Sequence, residues 1–202
     1  MQDVRTGLWW LLLDPSIDLH TVGWQAISLA ACVSRTPLYR RWSDPAEAFV
    51  DAYLWHAGTS EEHLDIEDPW RSARLSLLSV GRRWNQENML FAATRLLPLM
   101  HRSPYARAAW EQRVNAPVAQ DIRRCFVLSR TRAEFPHPER AAEAANALAA
   151  LPFRWLSHLT ARLASERWAR PRGLDPAHEI KDYAEFIDRE VAQARRREVG
   201  DD

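Results

Sequence analysis

Four prolines in this chain stand where helices begin, in the pairs Asp44-Pro45, Asp68-Pro69, Ser103-Pro104 and His137-Pro138. Proline lacks an N–H that the first helical turn leaves unpaired in any case, and its fixed φ suits that turn, so each pair marks a start. Long apolar-periodic stretches rich in Ala, Leu and Arg follow these starts, and no alternating strand pattern competes with them. The spacing predicts helices over 69–84, 86–101, 104–131, 138–168 and 176–196, hence an all-α fold. Pro117 and Pro152 fall inside two of these and are expected to kink or divide them, because each removes an internal hydrogen bond and crowds the preceding turn.

The most specific stretch is Thr21 to Leu54, TVGWQAISLAACVSRTPLYRRWSDPAEAFVDAYL. Ile27 and Ala30/Ala31 keep helical spacing on one apolar face, Cys32-Val33 makes a tight turn, and Ser34 stands where it would N-cap a second short helix. The outward face of that helix carries Arg35, Thr36, Tyr39 and Arg40, with Arg41 next to them, the pattern of a helix-turn-helix whose second helix reads DNA. Asp44 then caps a further helix with Pro45 at its first position and Glu47 three residues after the cap, leaving Ala48, Phe49, Ala52 and Leu54 for burial. Upstream, Leu8 to Leu13 (LWWLLL) is too short to span a bilayer and lacks a small-residue cleavage site. It is expected to form a first helix that packs its Trp and Leu side chains inward.

The segment VSRTPLYRRW, followed by an acidic-Pro-Ala-Glu turn and AFVDAYL, resembles the DNA-binding domain of TetR-family transcriptional regulators. DIRRCFVLSRTRAEF, PERAAEAANALAALPFRWLSHL and LDPAHEIKDYAEFIDREV are similar to the family's later helices in length and texture. The resemblance implies a three-helix head, residues 1–58, joined by its fourth helix to an all-helical ligand-binding and dimerisation body, residues 59–202. It further implies a homodimer on a near-palindromic double-stranded DNA operator, acting as a repressor and released by a small hydrophobic or aromatic ligand. DNA contacts then fall to Arg35, Thr36, Tyr39, Arg40 and Arg41. The family usually has Gly where this chain has Cys32, which implies a positive φ there at a cost of about 1 kcal/mol. It also often has a Lys at the start of the fourth helix, where Ser43 to Glu47 offers no cation.

Charge narrows the reading. Residues 1–58 hold four arginines (5, 35, 40 and 41) against six acids (Asp3, Asp14, Asp18, Asp44, Glu47 and Asp51), a formal −2, with three of the four arginines clustered at 35–41. The whole chain balances 27 cationic against 27 anionic side chains, so nothing favours general attraction to a polyanion, and DNA binding has to be local. A second reading follows from the acidic head: a TetR-like protein with a degenerate DNA head, acting as a ligand-binding or protein-interaction module.

Ten tryptophans are many for 202 residues, and several fall after residue 58. The resemblance makes Trp84, Asn88, Phe91, Arg95 and Trp110 candidate liners of a ligand cavity, although core filling would use the same aromatics. Small Ala residues beside Leu, Phe153 and Trp155 after Pro138, with Ile180, Tyr183, Ala184, Ile187 and Val191 in the last helix, suit either a dimer interface or an internal core. The resemblance points to the dimer, with Ala145 and Ala149 on the shared face. No catalytic signature is present, neither GxSxG, GxxxxGK[ST] nor HExxH, so an enzyme is not expected. Neither a cofactor nor a metal is anticipated, since no His pair has ligand spacing. Cys32 and Cys125 are isolated, which fits a reducing cytoplasm.

Overall fold

A computed structural model of the chain describes residues 4–58, 68–128, 138–165 and 175–199. The fold is all-α, with no strand among the described residues. The chain divides into two compact units that interleave along the sequence. The first comprises Met1–Gly58, Gln86–Arg113 and Leu156–Asp175, and the second Thr59–Asn85, Val114–Trp155 and Pro176–Asp202.

The first unit contains α1 (Val4–Leu13), α2 (Trp24–Ala30), α3 (Arg35–Arg41) and α4 (Pro45–Ala57). A further pair of helices, α6 (Met89–Arg102) and α7 (Pro104–Trp110), belongs to it as well. α1 packs on α2, α4 and α6, while α4 also packs on α6 and α7. Burial of Leu8, Leu12, Phe49, Val50, Leu96 and Met100 supplies the apolar area that holds these helices together. Gly7 allows the closest approach: a Cβ there would lie 2.8 Å from the Ala31 Cα, so any other residue would force α1 off α2. Two expectations fail on this unit. Trp10 points outward with 64% of its surface exposed, because α1 buries only the stripe carrying Leu8, Trp9 and Leu12. Ala30 is exposed too, whereas Ile27 and Ala31 on the same helix face are buried.

Side-chain caps account for the starts of α4 and α7. The Asp44 carboxylate accepts from the Glu47 N–H at 2.7 Å, and Glu47 reaches back to the Ser43 N–H at 2.6 Å, a reciprocal arrangement of the capping-box type. Ser103 accepts from the Ala106 N–H at 2.9 Å, with Pro104 at the first position of α7. α6 begins at Met89, later than predicted, because Asn88 takes a left-handed conformation (φ 66°) that helices exclude and Asn tolerates.

The second unit packs α5 (Pro69–Trp84) against α8 (Ala116–Leu128), α9 (Pro138–Ala149) and α11 (Pro176–Val199). Asp68 caps α5 by accepting from the Arg71 N–H at 2.9 Å. The predicted helix 104–131 is described to Leu128 and widens into a π-helical segment, Glu111–Asn115, between α7 and α8. Pro117 has no N–H for the Arg113 carbonyl and its ring crowds that oxygen, so the helix widens just upstream instead of ending. The predicted helix 138–168 divides at Ala150 into α9 and α10 (Leu151–Ser165), with Pro152 tolerated in the first turn of α10; 166–168 lie outside the described residues. Much of the apolar surface read as a dimer face is buried in the isolated chain, with Phe153, Ile180 and Ala184 half-buried. Ala145, Ala149, Tyr183, Ile187 and Val191 are all buried within the isolated chain, because α9 and α11 close on α5 and α8.

Candidate nucleic-acid interface

α2 and α3 are joined by a turn that forces one residue into an unusual conformation. Cys32 has φ 54°, and its N–H and that of Val33 return to the carbonyls of Leu29 (3.2 Å) and Ser28 (3.1 Å). The Ser28 hydroxyl donates to the Val33 carbonyl, closing the turn from the other side. Ser34 occupies the cap position of α3 with extended backbone, yet its side chain makes no capping bond, so the expected cap is positional only.

α3 is two-faced. Leu38 is buried on the inner side, and Trp42 is buried just past the helix end. Arg35, Thr36, Tyr39, Arg40 and Arg41 are all exposed. Tyr39 leaves 56% of its surface in solvent while its ring meets Trp24 of α2 edge-on at 5.3 Å. Arg35 and Arg40 make no ion pair or hydrogen bond among the described residues, which leaves their N–H groups available for a ligand.

Arg41 is different from its neighbours. Its guanidinium lies 4.7 Å from the Trp42 ring and donates to Asp51 of α4 at 3.4 Å. The same carboxylate accepts from Arg5 Nε at 2.9 Å and from Arg113, so three cations converge on one acid that is itself only 9% exposed. Burial alone would raise the Asp51 pKa, but hydrogen bonds from Arg113 and Arg5 outweigh it and hold the carboxyl below its ordinary range. No local sequence pattern marks this cluster, because Arg113 lies 62 positions away from Asp51.

The five residues expected to line a ligand cavity occupy varied environments. Trp84 belongs to the second unit, fully buried between Trp155 (5.3 Å, stacked) and Tyr183 (5.0 Å, edge-on), an aromatic core cluster. The other four belong to the first unit. Asn88 is exposed at the start of α6, and Phe91 is half-buried beneath the Arg95 guanidinium at 5.8 Å. Arg95 donates to the carbonyls of Asp14 and Ile17, so it pins the loop between α1 and α2. Its pKa is lowered by burial against the opposing influence of Asp14 and Asp18. Trp110 is buried against Tyr53 at 5.5 Å.

Among the described residues no group of three or more His, Cys, Asp or Glu side chains is placed to hold a metal ion. No described helix is long and apolar enough to cross a membrane. Comparison of the chain with models of known protein families finds no match, and comparison with curated proteins finds none either.

Proposed function

We propose that this chain is a TetR-like transcriptional regulator that inserts α3 into the major groove of a duplex operator. The observation that carries the reading is the division of α3: Leu38 is buried, while Arg35, Thr36, Tyr39 and Arg40 stand in solvent on a helix fixed by the Cys32 turn. Arg35 and Arg40 are suited to the O6 and N7 edges of guanine, and Tyr39 to a phosphate. Two copies acting as a homodimer would present two such helices about 34 Å apart, one turn of B-DNA, to a near-palindromic site. The resemblance adds release by a small hydrophobic ligand, which requires the ligand to bind the DNA-incompetent arrangement more tightly.

One observation favours the second reading, a head without useful DNA affinity. Arg5 and Arg41 are held by Asp51, which leaves Arg35 and Arg40 as the uncommitted cations of a segment with formal charge −2. Binding of the purified protein to duplexes covering the DNA that flanks its own gene, measured by fluorescence anisotropy across a salt series, separates the two. A regulator is expected to bind one such duplex about a thousandfold or more tighter than an unrelated one. Equal, weak affinity for both supports the module reading.

A further inference from the structure

Asp51 gathers three guanidinium groups, and the two charges of Arg41 and Arg113 alone exceed the single negative charge between them. The acid is nearly enclosed, whereas Arg41 and Arg113 keep 44% and 46% of their side chains in solvent. Each of these two gives one N–H to Asp51, out of the five a guanidinium carries. Asp51 therefore serves as an anchor that fixes two exposed, incompletely used forks on either oxygen of one carboxylate. The Trp42 ring lies 4.7 Å from the Arg41 guanidinium carbon. Fixed forks with spare donors and surplus charge are suited to a phosphate, whose oxygens accept paired N–H bonds. The position of Arg41 as the last residue of α3 puts this surplus at the end of the helix proposed to read DNA.

We propose that Arg41 and Arg113, anchored on Asp51 with Arg5, hold a backbone phosphate of duplex DNA beside α3. The inference rests on the DNA-binding reading and extends it to a residue outside the segment 1–58, since Arg113 lies in the π-helical stretch Glu111–Asn115. It also supplies a phosphate grip that Ser43 to Glu47, without a cation, does not.

Wild type, Arg113→Gln and Arg113→Lys are compared on a duplex that wild type binds and on an unrelated duplex, between about 50 and 200 mM salt. Thermal unfolding by circular dichroism checks that each variant is folded. Loss of one phosphate contact makes the slope of log affinity against log salt shallower by about 0.9 for Arg113→Gln on both duplexes, and Arg113→Lys restores it. A wild-type slope in Arg113→Gln overturns the contact and leaves the DNA-binding reading standing. An equally shallow slope in Arg113→Lys overturns it too, because the charge would then not be what acts. A wild-type protein with no DNA affinity overturns both readings.

Discussion

The Ser103 hydroxyl donates a hydrogen bond to the Asp44 carboxylate, so the N-cap of α7 is tied to the N-cap of α4 across 59 positions of sequence. Each side chain also accepts from its own helix, Asp44 from Glu47 and Ser103 from Ala106. Two helix starts are thus fixed as one unit. Ser103→Ala and Asp44→Ala are each expected to lower stability by about 1–2 kcal/mol. The double variant should lose less than the sum, by at least about 0.5 kcal/mol, since either change breaks the shared bond. Urea unfolding of the four proteins measures the coupling.

Tyr183 is enclosed in the second unit, and its hydroxyl donates to the Leu77 carbonyl at 2.8 Å. A Cβ on Gly81 would come within 2.6 Å of its ring, so Gly81→Ala forces the ring to move and is expected to cost about 1–3 kcal/mol. Burial pushes the Tyr183 pKa above the usual tyrosine range. Below the ordinary value of 10.0 its contribution is fully present, and above that value the unfolded chain ionises first. Stability should therefore fall as pH rises past 10, and the ultraviolet phenolate signal of Tyr183 should appear only with unfolding. Tyr183→Phe should flatten that alkaline loss.

Asp51 behaves in the opposite sense. Its folded pKa is depressed, so its contribution is present above the ordinary value of 3.8 and is lost as pH falls through the folded value. Asp51→Asn is expected to cost about 1–3 kcal/mol at neutral pH, less than a fully buried pair because Arg41 and Arg113 are half in water. The stability gap between wild type and variant should close as the solution is taken below pH 3.8, measured by chemical unfolding at several pH values. A constant gap would mean that the pairing is not what the substitution removes.

Ala145→Arg tests the internal assignment of the α9 stripe. Ala145 and Ala149 are buried within the isolated chain, so a guanidinium forced in there should cost more than about 3 kcal/mol. Loss of helical circular dichroism at moderate temperature is the expected result. A folded protein that has only changed its oligomeric state would return the stripe to a dimer interface.

The helix starts were readable because they are local: Asp44-Pro45, Asp68-Pro69 and Ser103-Pro104 carry cap and proline in adjacent positions, and the structure places helix starts at each. The positive φ of Cys32 was legible only through the resemblance, which usually has Gly at that turn position. The side on which a stripe is buried is a different matter. An Ala-rich face such as that of Ala141, Ala145 and Leu148 has the same periodicity whether it meets its own chain or a second copy, and only tertiary packing separates the two. Arg95 and Arg113 show the same limit for charged residues. One donates to carbonyls about 80 positions away and the other to a carboxylate 62 away, contacts that no spacing rule encodes.

The central claim is that α3 reads DNA through its exposed face, and Arg40→Ala addresses it most directly because Arg40 is exposed and carries no ion pair among the described residues. Anisotropy titrations compare the variant with wild type on the tightest duplex from the region flanking the gene and on an unrelated duplex. The account predicts a loss of about 1–3 kcal/mol on the former, a roughly 5- to 150-fold rise in Kd, with a much smaller change on the latter and an unaltered thermal midpoint. Equal affinity of variant and wild type for the specific duplex would contradict it.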